Sequence, residues 1–185
     1  MATTKLLGIS GALRAGSTNR KLLREAARLF GDDCVYVEAD IQMPLYDGDL
    51  EDAEGVPATA QRIAEQIAEA DAVILSTPEY NKGPSGALKN ALDWVSRVPS
   101  TPWADKPVAV MSAAAGRAGG ERSQMILRGY LVSFRPQLVM GPEVHLAESQ
   151  DQFDEDGTLV NKKYIRDLTA LMANLRNVVD RTAAH

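Results

Sequence analysis

Cysteine and histidine are nearly absent from this chain, and that removes several chemistries at once. Cys34 is the single cysteine among 185 residues, so no disulfide forms within the chain and no cysteine cluster holds a metal. His145 and the terminal His185 are the only histidines, too few for an imidazole metal site. Positive charge is not in excess: 20 Lys and Arg stand against 25 Asp and Glu, a formal charge of −5. A nucleic-acid binder needs a basic face for phosphates, so no nucleic-acid partner is expected. The start, "MATTKLLGIS", is too short an apolar run for a signal peptide or a membrane span. No membrane partner is expected, and a cytoplasmic location fits the single cysteine. Neither G-x-G-x-x-G nor the phosphate loop G-x-x-x-x-G-K-[ST] follows the first apolar run. A dinucleotide fold of the Rossmann type and a nucleoside triphosphatase both lose ground.

What remains is an ordinary globular composition, 45% apolar and 24% charged, with neither repeat nor linker. One domain over residues 1–185 is expected. Short apolar runs alternate with stretches of helical period. The runs are "KLLGIS", "CVYVEA", "DAVILS", "PVAVMSA" and "QLVM". The helical stretches cover 19–30, a region after Pro57, a region after Pro84, about 121–134 and about 162–181. Residues 40–55 read as a long polar loop. Continuous apolar runs mark strands buried on both faces. Strand–helix alternation of this kind implies an α/β fold with a parallel sheet between two helical layers. Five strands suit the flavodoxin-like three-layer sandwich with order 2-1-3-4-5. Ligands of such folds bind at the carboxyl ends of the strands.

Three loops sit at those ends. "SGALRAGSTNR" (10–20) opens a helix, whose first N–H groups lack intrahelical acceptors. Ser10, Ser17, Thr18 and Asn19 add short polar side chains, and Arg14 adds a planar cation. A phosphate monoester suits that set, and so does an ordinary helix cap. "STPEYNKGPSGALKNALDW" (76–94) places Pro78, Glu79, Tyr80 and Asn81 at the end of a buried strand. A flat heteroaromatic ligand can lie there against backbone N–H groups from 79 to 81, under cover from Tyr80 and Asn81. "SAAAGRAGGER" (112–122) is made of small residues that let a ring approach backbone edge-on. Its one large member, Arg117, reads by itself as a solvated turn residue.

"GALRAGSTNR", "PEYNKGPSGALKNALDWVSR" and "AAAGRAGGER" together resemble the NADPH-dependent FMN reductase family, over roughly residues 5–142. That family is flavodoxin-like and includes quinone, azo-dye and chromate reductases. The resemblance implies that Ser10, Arg14, Ser17, Thr18 and Asn19 hold the FMN phosphate. It implies that Pro78, Glu79, Tyr80 and Asn81 line the isoalloxazine, and that Ser112, Gly116 and Arg117 lie beside it or the ribityl chain. Two departures stand out. The first turn reads Gly-Ala where Gly-Ser is usual, and the third loop reads Ala-Ala-Ala where Ser or Gly is usual. Both lose side-chain hydrogen bonds and keep the backbone donors.

The function so implied is an FMN-dependent oxidoreductase. NADPH or NADH is its co-substrate, and a small-molecule electron acceptor takes its turn in the same open pocket, with ping-pong kinetics. The cofactor carries the hydride, so no catalytic side chain is assigned. Glu79 reads as a carboxylate that structures its loop, and Arg117 as the candidate for meeting the 2′-phosphate of NADPH or an acidic acceptor. An FMN-binding electron carrier and a non-enzymatic module are the alternatives on the same fold. A homodimer or homotetramer is expected, with a second subunit completing the pocket: the helix after Pro84 carries Trp94 and Val95, and the helix around 121–134 carries Met125, Ile126, Leu127, Tyr130, Leu131 and Val132, which cover more than one of its faces. Arg122 and Glu143 are a candidate ion pair across that interface. Cys34 is expected as a small core residue and His145 at the surface. The acidic run "DQFDEDG" lacks calcium-loop spacing and reads as solvated.

Overall fold

A computed structural model describes residues 3–183, so His185 lies outside the described residues. Five strands carry the centre of the molecule: β1 (Thr4–Ser10), β2 (Cys34–Ala39), β3 (Ala72–Thr77), β4 (Pro107–Ala113) and β5 (Gln137–Leu138). They pair in the parallel order β2-β1-β3-β4-β5, the expected flavodoxin-like winding. Every residue of β3 and β4 is buried, as continuous apolar runs require when helices cover both faces.

Successive strand residues point to opposite sides, and the core divides accordingly. Leu6, Ile74, Ala109 and Met111 face α1 (Thr18–Phe30) and the long α6 (Lys162–Ala183), meeting Leu22, Leu23, Leu168, Leu171 and Leu175. Leu7, Ile9, Val73, Leu75 and Val110 face the opposite layer. There α3 (Ala58–Glu69), α4 (Gly86–Val95) and α5 (Glu121–Leu131) supply Ile63, Ile67, Leu88, Leu92, Leu127 and Leu131. Truncating any of these fully buried leucines to alanine costs about 2–5 kcal/mol.

The register of the sheet decides where the loops emerge. Ser10 pairs with Ser76, and Thr77 with Ser112. The carboxyl ends of β1, β3 and β4 therefore stand in one row, and the loops leave the sheet side by side.

Four expectations need correction. The stretch 40–55 is not loop throughout, because Gly48–Glu54 forms a short helix, α2, whose N-cap Asp47 accepts the Asp49 N–H. It buries no residue and so carries no hydrophobic period to reveal it. Its Glu51 pairs with Arg97 at 2.9 Å. The fifth strand is broken: after β5 the chain leaves the sheet and returns as β6 (His145–Leu146), again beside β4. His145 is therefore a half-buried strand residue rather than a surface one. Trp94 and Val95 are core residues, not interface residues. The Trp94 indole N–H donates to the Pro44 carbonyl at 2.9 Å, so the loop before α2 covers it. Cys34 is partly buried and packs against the α1–α6 core, as expected.

Candidate functional site

The first loop is held against the second by contacts that only glycine permits. The Gly11 N–H donates to the Ser76 carbonyl at 2.8 Å, and its carbonyl accepts the Ser85 hydroxyl at 2.5 Å. A Cβ at Gly11 would stand 2.9 Å from Pro78 Cδ. Ser10 is buried, and its hydroxyl accepts the Ala12 N–H at 3.2 Å, which starts the turn. Ser17 caps α1 by accepting the Asn19 N–H at 3.1 Å, leaving the remaining first-turn N–H groups facing outward. Arg14 is exposed on the crest of the loop.

Asn19 bonds within the protein rather than facing a ligand with free donors. Its side-chain carbonyl accepts the Ala113 N–H at 3.1 Å and the Ser76 hydroxyl at 2.8 Å. Its amide donates to the Ala113 carbonyl at 2.9 Å. Asn19 is thus a buried staple joining α1 to the ends of β3 and β4, and most of its hydrogen-bonding capacity is already used.

The second loop closes with two backbone hydrogen bonds between Tyr80 and Gly83, at 2.9 and 3.0 Å. Asn81 and Lys82, at the two central positions, take φ of +49° and +69°. Paired positive φ values define a type I′ turn. The Tyr80 N–H is consumed by this turn, so the expected run of free N–H groups from 79 to 81 is interrupted there. Pro78 is buried and Tyr80 stands exposed beside it. The Glu79 carboxylate turns inward and accepts the Ser123 N–H at 3.2 Å. It structures the loop, as expected.

The third loop is fastened from below. Ser112 is fully buried and donates to the Gly119 carbonyl at 2.6 Å while accepting the Gln124 amide at 3.0 Å. Its hydroxyl is committed beneath the loop, not at its surface. Gly120, at φ +90°, comes so close to Ser112 that a Cβ would lie 2.7 Å from the serine Cβ.

Between the loops lies a cleft of about 370 Å³. Arg14, Ser17, Thr18 and Asn19 form one wall, and Pro78, Glu79 and Tyr80 another. Ala113, Ala114 and Ala115 supply a floor of small side chains. Five of the twelve residues named from the sequence do not line it: Ser10 and Ser112 lie buried beneath, and Asn81, Gly116 and Arg117 are exposed beyond its edge. Three lining residues lie outside the three loops read from the sequence: Lys21, one turn into α1, and Ser149 and Gln150 in the segment after β6. Nothing in "AESQDQ" signals such a role, because that segment reaches the cleft only through the pairing of β6 with β4. A hollow of about 480 Å³ near Leu92, Trp103, Tyr130 and Phe134 is larger. It lies at the carboxyl ends of α4 and α5, which is the opposite edge of the sheet.

The cleft favours an anion at one end and a flat ring at the other. Cations on Arg14 and Lys21 flank the start of α1, where the helix dipole is positive. The one carboxylate lining it, Glu79, is bound to a backbone N–H at the start of α5. The alanine floor lets a planar group reach backbone.

These features describe a mononucleotide-binding protein of the flavodoxin-like class. The chain matches the model of one family, NADPH-dependent FMN reductase, over residues 4–151. It is 44% identical over 160 residues to an NAD(P)H-dependent FMN reductase from Pseudomonas aeruginosa, covering 86% of each chain. It is 36% identical over 182 residues to a quinone reductase from Escherichia coli, covering 96% of both. Among solved structures, the flavoenzyme NAD(P)H:acceptor oxidoreductase FerB from Paracoccus denitrificans superposes with a TM-score of 0.85. Its identity is 26%, and the match covers 96% of this chain and 98% of that one. The chain belongs to the NADPH-dependent FMN reductase family, and it is an FMN-dependent NAD(P)H oxidoreductase.

Proposed function

We propose that the cleft between the three loops is where FMN sits, and that a nicotinamide and a quinone-class acceptor enter the same mouth in turn. The observation that carries this reading is the Ser10–Ser76 and Thr77–Ser112 register, which sets all three loops around one cleft. FMN, when bound, supplies hydride acceptance and return. The chain's residues bind and orient. Arg14, Ser17, Thr18 and the first turn of α1 hold the phosphate, with Asn19 fixing that turn rather than donating freely. Pro78, Glu79 and Tyr80 position the ring from one side, and Asn81 shapes the turn at the edge of the cleft. Ala113–Ala115, with Gly116 beyond them, lie along its edge above the buried Ser112. Backbone N–H groups near the ring stabilise negative charge that develops there. Arg117, two residues past the floor, meets the 2′-phosphate of NADPH. An acceptor of the quinone type is supported by the name of the Escherichia coli relative.

Reduced nicotinamide and acceptor using one mouth excludes a complex holding both. Initial rates measured against NADPH at several fixed benzoquinone concentrations should give parallel reciprocal lines. Intersecting lines would mean separate sites.

The reading includes a second copy of the chain. Met125, Ile126 and Val132 stand exposed on the outer side of the α5 segment, at 69, 37 and 70%. Leu127 and Leu131 from the same stretch are buried in the chain's own core, which narrows the expected patch. Arg122 and Glu143 are both exposed and make no ion pair among the described residues. They remain available to a partner. Sedimentation at micromolar concentration should show a dimer or tetramer; a monomer removes this part. Among the described residues no helix is long and apolar enough to cross a membrane.

A further inference from the structure

The segment after β6 brings a hydroxyl to the anionic end of the cleft. Ser149 is only 3% exposed, yet it lines the cleft. Its backbone N–H donates to the Ala114 carbonyl at 3.1 Å, so the alanine floor fixes its position. Its Oγ lies 2.9 Å from Thr18 Oγ1, at the first turn of α1. Two hydroxyls carry two protons, and the hydrogen bond between them uses one. Neither oxygen has another partner among the described residues. One O–H donor therefore remains without a protein acceptor in a part-buried pair that lines the cleft, placed to meet a ligand oxygen.

The same segment also fixes a cation. Phe153 holds the Lys21 ammonium 5.5 Å from its ring centroid, and Lys21 lines the cleft beside Thr18. An unused hydroxyl proton and a held ammonium, both beside a helix N-terminus, point to an acceptor that is anionic rather than neutral.

We propose that Ser149 is a phosphate-binding residue: the Thr18–Ser149 hydroxyl pair donates its free proton to the phosphate monoester of FMN. The inference rests on the reading that this phosphate sits at the first loop. Ser149 is a binding residue and takes no part in hydride transfer.

The test separates the phosphate from the rest of the flavin. Apo protein is titrated with FMN and with riboflavin, following flavin fluorescence, for the unaltered chain and for Ser149→Ala. Loss of one charge-assisted hydrogen bond should weaken FMN binding by about tenfold to a hundredfold. Riboflavin, which lacks the phosphate, should change by less than about twofold. Its unchanged affinity also reports an intact cleft. Unaltered FMN affinity in the variant overturns the proposal. So does an equal loss for both flavins, which would mean that Ser149 acts only through the fold. If the unaltered protein binds FMN no better than riboflavin, the phosphate is not held and the assignment falls. If it binds neither, the FMN site itself is wrong, an outcome distinct from failure of Ser149 alone.

Discussion

The Glu79 carboxylate accepts the backbone N–H of Ser123 at 3.2 Å. A side chain of the second loop thus caps the helix that follows the third. Ser123 is tied in further: its hydroxyl donates to the Pro78 carbonyl at 2.8 Å and lies 3.0 Å from the Thr77 hydroxyl. The two loops that frame the flat part of the cleft behave as one unit because of this pair. Glu79→Ala should lower unfolding free energy by about 0.5–2 kcal/mol, the usual worth of a lost helix cap. Glu79→Gln keeps an acceptor and should lose less. Urea denaturation of both variants checks the ranking, and equal stability of Glu79→Ala and the unaltered chain would contradict it.

Asn19 joins three elements through one buried amide. Asn19→Ala leaves both the N–H and the carbonyl of Ala113 without partners in a buried place, and should cost about 2–4 kcal/mol. Asn19→Asp should be at least as damaging, since a carboxylate cannot donate to that carbonyl and sets two acceptors face to face. Denaturation midpoints decide this. A merely superficial role in phosphate contact would leave stability unchanged and lower FMN affinity alone.

Arg117 is exposed past the alanine floor. If it meets the 2′-phosphate, Arg117→Ala should raise KM for NADPH by about tenfold through loss of a charge-assisted contact. KM for NADH should stay the same. Equal changes for both nucleotides would assign Arg117 to something other than the 2′-phosphate.

Tyr36 lies against Gly8, where an added Cβ would meet its hydroxyl. Burial, reinforced by the neighbouring Glu38 carboxylate, pushes its phenol well above the ordinary value. Below about pH 10 the folded and unfolded chains both keep that proton. Above it the unfolded phenol ionises while the folded one does not, so stability falls as pH rises. Tyr36→Phe should flatten that fall. Urea midpoints at alkaline pH, compared with neutral pH, show whether the two chains diverge.

Much of the fold was legible because each central strand is buried on both faces, and such strands read as continuous apolar runs. "DAVILS" and "PVAVMSA" located β3 and β4 directly, and Ser17 and Pro57 marked helix starts. What stayed hidden was set by contacts distant in sequence. The return of the chain as β6 depends on pairing with β4, and short α2 buries nothing. Trp94 looked like an interface residue because its cover, Pro44, comes from a loop some fifty positions earlier. At the site, residues in loops directly after strands were the readable ones: Arg14, Ser17, Pro78 and Tyr80 line the cleft. Asn19 and Ser112 have the right chemistry for a ligand but use it internally. Ser149 was unreadable because a polar residue in a polar segment carries no period.

The claim on which the rest depends is that this cleft holds FMN and passes it reducing equivalents from NAD(P)H. The direct measurement is anaerobic: protein loaded with FMN and freed of excess flavin is mixed with NADPH while flavin absorbance is followed. The account predicts one flavin retained per chain and rapid bleaching, reversed on adding benzoquinone. A chain that retains no FMN, or a bound flavin that NADPH and NADH both leave oxidised, would contradict it.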